Sequence, residues 1–297
     1  MGLLYITEGN LVYSMLGSMA LVVCYFFTID QLKKNKELMY KKNFLHPSAI
    51  FWIFFLVLGF VSFNLMSHFI NVEYNCKNEI KKEATTKIKL VDSIATIYKK
   101  RSREDIQNFE AELKSNLTNY KNSKSITLRN KLRLAPFNVE SSVLNNPDYI
   151  DINQVANAKV TPYEIKITKN IQNIDKTISL NNKNYQSVFD NWKRLSIVAT
   201  YAKLNQYVEN NVKSINSKIA ELPLNKTEIV VSFNKKQLPL NSPSKLNLEY
   251  KPNYLIPTIV IILTHLFILI PFFTWRIVDY VKSNDNDPLE IENVREI

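Results

Sequence analysis

Few residues in this chain have the types and spacing that chemistry requires. Asn64 and His68 stand four residues apart in one apolar run, and His265 lies near the centre of another. Polar and ionisable groups inside a membrane span mark binding sites or ion paths by default. The plainer alternatives are an interfacial place for His68, two residues from the end of its run, and a neutral interhelical hydrogen bond for His265 with Thr264, worth ~1 kcal/mol. No Asp or Glu stands mid-span, which argues against a proton- or ion-driven motor. Carboxylate pairs of the kind glycosidases use could be sought in Glu104, Asp105, Glu110 and Glu112, but these acids are flanked by basic residues on helical segments and read as surface charge. Residues 71–253 contain no His and no Gly. A Gly-rich phosphate loop, a Ser-His-Asp or Cys-His site and a His/Cys zinc site therefore lack their residues. The expectation is a protein that is not an enzyme, with no catalytic, metal or cofactor site.

The elements that must position the remaining polar groups are three runs free of Asp, Glu, Lys and Arg: 11–29, 50–70 and 254–274. About 20 apolar residues cross a ~30 Å hydrocarbon core as a helix, so each run is expected to span a membrane. The first lacks a basic n-region and a small-residue cleavage site, and reads as an uncleaved helix. Lys33, Lys34, Lys36, Lys41 and Lys42 place the 30–49 loop in the cytoplasm. The short N-terminus, 1–10, and the large 71–253 domain then lie outside, and the 275–297 tail lies inside. Tyr254, Trp275 and Arg276 occupy interfacial anchor positions. Ser14, Gly17 and Ser18 put small residues on one side of the first span, which permits close helix packing. Cys24 and Cys76 belong to different spans and are not expected to pair.

Residues 71–253 read as a long-helix, coiled-coil-like domain. Ile80, Ala84, Ile88, Val91, Ala95 and Tyr98 recur at helical spacing, as do Ile106, Phe109, Leu113, Leu117 and Tyr120 after a restart cap at Ser102. A further helix is expected over 127–134, then an irregular connection over 135–160. Thr161-Pro162-Tyr163-Glu164 has the order of a helix start. From it a seam runs through Ile171, Ile174 and Ile178 and on through Val208, Val212, Ile215 and Ile219, ending at Pro223. Asn181-Asn182 is a candidate interruption. The β-branched and alternating segments 227–233 and 245–250 predict a small β-hairpin near the membrane. The fold class is thus mainly α, with three transmembrane helices.

Residues 71–253 carry 30 Lys and Arg against 18 Asp and Glu. That excess suits solvated helix faces, or attraction to anionic lipid or an acidic partner; nucleic acid is not expected. The acidic tail offers Leu289, Ile291, Val294 and Ile297 as apolar points for docking a cytoplasmic protein, as a strand or a short helix. Helical domain, packed spans and acidic tail together resemble the inner-membrane anchor subunits of bacterial secretion machines, including the type VI secretion membrane complex. The resemblance is one of topology. It implies a structural subunit in the bacterial inner membrane, linking periplasmic and cytoplasmic partners in a homo- or hetero-oligomer embedded in the bilayer. The alternatives are a sensor with a ligand-binding helical bundle, whose short tail would require a partner for output, and a transporter component using His68 or His265.

Overall fold

The computed structural model describes residues 1–39, 45–224, 233–275, 278–280 and 294–296. In hydrocarbon, backbone amides find partners only along their own helix, and the three charge-free runs fold accordingly. They form α2 and α3 and, after α1 (Gly2–Ile6) and six further helices, α10: α2 is Leu11–Met39, α3 is Leu45–Ile70 and α10 is Leu255–Thr274. All three are long and apolar enough to cross a membrane, and many of their large side chains point outward, with Phe26 77%, Phe60 68% and Phe267 77% exposed. The chain is a mainly helical membrane protein. It forms two compact units, Met1–Ile80 with Leu238–Ile297, and Lys81–Gln237.

In the first unit, α1 is not a free external segment. It buries Leu4 and Tyr5, and Gly2 lies so close to α3 that a Cβ there would stand 2.2 Å from the Leu65 carbonyl oxygen. The α2 helix runs ten residues past its apolar stretch, carrying Lys33, Lys34 and Lys36 on helix rather than loop. Beyond α3, Asn71–Cys76 is π-helical and passes directly into α4 (Lys77–Ser123). The expected hairpin is not found. Its second arm is α9 (Pro243–Glu249), a short helix with Pro at its start. The alternation of Leu246, Leu248 and Tyr250 misled because only Leu246 is buried, while Leu248 is 85% exposed. Its first arm, 227–233, lies outside the described residues apart from Phe233. The described strands are β1 (Val278–Tyr280) and β2 (Val294–Glu296), paired antiparallel in the tail.

The second unit is built on α4, α7 (Ile152–Asp190) and α8 (Arg194–Ala220), with α5 (Ile126–Arg133) and α6 (Ser141–Leu144) in the connection from α4 to α7. Every residue of both expected α4 stripes is buried. The helix does not restart at Ser102, which is buried and returns its hydroxyl to the Lys99 carbonyl. Phe109, Leu113 and Leu117 share one core with Ile174, Ile178, Val208, Val212, Ile215 and Ile219, and Ile171 packs at its edge. The seam therefore closes within one chain. It does so as a hairpin, not as one continuous rod over 163–222: Trp192, at φ 46°, turns the chain between α7 and α8. Cross-pairs 182/207 and 166/221 show the two helices antiparallel. Thr161-Pro162 does not start α7. Asp151 caps the helix instead, accepting from the Gln154 amide at 3.0 Å, because Ala156 and Val160 upstream bury against the core. Pro162 sits inside the helix, and only 135–151 of the expected irregular stretch lies outside long helix.

Candidate functional site

One polar side chain from each span meets at a single point in the membrane unit. Tyr25 on α2 stands 2.9 Å from His265 Nε2 on α10 and 3.0 Å from Ser62 Oγ on α3. His265 Nδ1 lies 2.8 Å from the carbonyl of Ile261, one turn back on its own helix. That carbonyl only accepts, so Nδ1 carries a hydrogen. In the imidazole tautomer with its hydrogen on Nδ1, Nε2 accepts. Tyr25 then donates to His265, and Ser62 donates to Tyr25. Every hydrogen in the node has one direction.

Aromatic edges hold the node in place. The His265 ring meets Tyr25 edge-on with centroids 5.4 Å apart, and Phe55 edge-on at 4.9 Å. Gly59 supplies the space, since a Cβ there would come within 2.8 Å of His265 Nε2. His265 is thus bonded to Tyr25, and not to Thr264, whose hydroxyl donates to the Val260 carbonyl at 2.8 Å. A cavity of about 520 Å3 opens beside the node, walled by residues such as Leu21, Leu65 and Met66, with Ser18, Ser62 and Thr264 among its polar atoms. Ser18 donates to the Ser14 carbonyl, so all three hydroxyls spend their hydrogens inside the chain. No acidic or basic side chain lines the cavity. Its lining is mostly apolar and can take hydrocarbon.

The other intramembrane residues have separate fates. Ser14 is buried and meets the Thr7 hydroxyl at 2.7 Å, and Gly17 faces the Leu3 side chain. The small-residue side of α2 therefore receives α1 and the turn after it, rather than another span; Ser18 is exposed. His68 is fully buried. Its Nε2 donates to the Leu240 carbonyl at 2.8 Å, its ring meets Tyr5 edge-on, and its Nδ1 has no partner among the described residues. Near it, Tyr5 donates to Glu73 at 2.8 Å, and Asn71 donates to Asn247 and to the Tyr250 carbonyl. These bonds fasten α1 and α9 to the end of α3. Burial, with the charge of Glu249 added, pushes the Cys76 thiol up to about 12, and both cysteines are free thiols. Asn64 does not join His68: it is exposed, and its Nδ2 donates only to the Phe60 carbonyl at 2.8 Å.

At the other end of the spans, Lys36 donates to the carbonyls of Phe272, Phe273 and Trp275. A cation at a helix C-terminus satisfies free carbonyls and opposes the helix dipole. Lys33 lies over the Trp275 ring at 5.2 Å. Tyr254, at the opposite end of α10, is half exposed and stacks on Phe63. Arg276, Leu289, Ile291 and Ile297 lie outside the described residues, and Val294 begins β2.

In the helical unit the polar groups serve packing. Asn182 does not interrupt α7. It is buried, donates to Asp92 at 2.6 Å and accepts from Tyr207. Burial, then the proximity of Tyr185 and Asp92, holds the Tyr207 phenol well above its ordinary range. Lys87, also buried, places its three hydrogens on Glu83, Asn205 and the Lys236 carbonyl. A groove of about 420 Å3 lies between α4 and α7, floored by Ile106, Ile167 and Ile171 and edged by Arg103 and Glu164. Among the described residues no cluster of His, Cys, Asp and Glu could hold a metal ion. No family model, curated protein or solved structure matches the chain.

Proposed function

We propose that the chain is a non-enzymatic membrane subunit of a multiprotein envelope complex, linking periplasmic and cytoplasmic partners. One observation carries the reading. The long helices of the 81–237 unit bury their seam residues in a shared core, and while α7 and α8 leave Ile165, Leu180 and Leu195 exposed one at a time, the connection between α4 and α7 exposes Ile126 75%, Leu134 66% and Tyr149 90%. Lys124 and Asp148, 2.9 Å apart, tie the two ends of this connection together. Large exposed apolar side chains on one short connection suit a protein partner, and we take this connection as the outside contact. The topology resembles that of a secretion-machine anchor in the bacterial inner membrane, and in that reading the acidic tail is the inside contact.

The test is a photo-crosslinking residue at Tyr149 or Ile126 in the full chain, in its native membrane. Crosslinks to a different protein in fixed ratio support the reading. Crosslinks absent there, with the helical unit folded by circular dichroism, refute it. A sensor reading has the groove edged by Arg103 and Glu164 in its favour; both of those charges are exposed, so the groove offers a small ligand little desolvation.

A further inference from the structure

Asn64 is the polar residue that neither the node nor the packing of α1 absorbs. It lies about 6 Å from the middle of its apolar run, four residues at about 1.5 Å each, well inside a hydrocarbon half-thickness of about 15 Å. It faces outward on α3. With Ile53 61%, Val57 50% and Phe60 68% exposed, it completes a stripe at spacings of four, three and four. One amide hydrogen is spent on the Phe60 carbonyl. The second hydrogen and the side-chain oxygen have no partner among the described residues. Lipid supplies none, and an unpaired amide in hydrocarbon is costly.

We infer that this face of α3 is a homodimer interface in which Asn64 pairs with Asn64 of a second copy. The occupant follows from topology and chemistry. Two copies inserted in the same sense are related by an axis along the membrane normal, which brings equal residues together at equal depth. At that depth the group needed must both donate and accept. An Asn amide does both, so two copies satisfy each other reciprocally, Nδ2–H of each to Oδ1 of the other. The apolar stripe on one side packs against its own image. The inference is independent of the identity of any protein bound at Tyr149.

The experiment places a photo-crosslinking residue at Val57 or Phe60 of the full-length protein in membranes, with buried Leu58 as the control position. The expected result is a crosslink to a second copy from Val57 and Phe60 and none from Leu58. Asn64→Leu should lower the dimer yield about tenfold, equivalent to about 1.4 kcal/mol, and Asn64→Gln should keep most of it. An apolar residue on a lipid-facing surface does not threaten the fold, so the Leu variant reports association. Crosslinks only to lipid, crosslinks only to a different protein, or a yield unchanged in Asn64→Leu would each overturn the inference.

Discussion

Replacing Tyr25 by Phe isolates the hydrogen bonds of the intramembrane node from its packing. The phenyl ring stays, so the edge contacts with His265 and Phe55 are retained. Only the hydroxyl leaves, and with it the bonds at 2.9 Å to His265 and 3.0 Å to Ser62. Interhelical hydrogen bonds in membranes average ~0.6 kcal/mol and reach ~1.7. Two lost bonds therefore predict a cost of about 1.2 kcal/mol, roughly eightfold in the folding equilibrium. Ser62→Ala removes one of them and should cost about half as much. Reversible unfolding of the full chain in mixed micelles, trapped sterically on the unfolded side, measures both. A double-mutant cycle of Tyr25→Phe with His265→Leu should return a coupling of about 0.6 kcal/mol. A coupling within error of zero, together with a silent Tyr25→Phe, would mean that the three spans are held by packing alone.

Gly59→Ala puts a methyl 2.8 Å from His265 Nε2; overpacking of this kind costs about 1–3 kcal/mol, and in that background Tyr25→Phe should become nearly silent, because the ring has already been pushed off its partner. Lys36→Met, in the same unfolding assay, should lose about 1 kcal/mol of C-terminal capping on α10, and Lys36→Arg should recover most of it. Asn182→Leu leaves the partly buried Tyr207 hydroxyl without its acceptor and is expected to cost about 1 kcal/mol by chemical denaturation of the full chain, with Tyr207→Phe relieving part of the loss. The Cys76 thiol has an ordinary pKa of 9.0 and stands near 12 when folded. Its contribution to stability is therefore complete below pH 9 and lost as pH rises through 12, where the folded thiol ionises too. Maleimide at pH 8 should leave Cys76 unmodified in the native protein and label it on unfolding.

Spans and seam were legible because both depend on period and length alone. Three charge-free runs permit little except a crossing helix, and isoleucines spaced three and four apart keep one face whatever lies opposite. The node was not legible for the same reason. In a run that is apolar all round, no face announces itself, so Tyr25 carried no sign of direction. His265 was matched with Thr264 because the two are adjacent in sequence, yet neighbours on a helix point to different sides. The lone glycine of the second run, Gly59, was the one signal of a close approach there, while the several hydroxyls of the other two runs did not single out Tyr25 and Ser62. Asn182 could have been found: it follows Ile178 by four and so stands on the seam, where one buried amide fixes register. Thr161-Pro162 failed in the opposite way. Its local grammar is that of a helix start, but Ala156 and Val160 already lie on the buried face, and their packing extends the helix upstream past the proline.

The direction of each hydrogen bond separates two uses of the node. A proton path needs every member to give a proton on one side and take one on the other. Ser62 can give to Tyr25, and Tyr25 to His265, but Nδ1–H of His265 points at the Ile261 carbonyl. A backbone carbonyl already bound within its helix has no proton to pass onward, so the series ends there. Reversing it requires the imidazole to turn over and give up its bond to the Ile261 carbonyl. The same atoms make a good fastening. Three neutral groups on three helices, each satisfied by the next, cost little to bury and are lost together when any span moves. Those hydrogen bonds link α2, α3 and α10 through Tyr25, Ser62 and His265, which suits a fastening between spans.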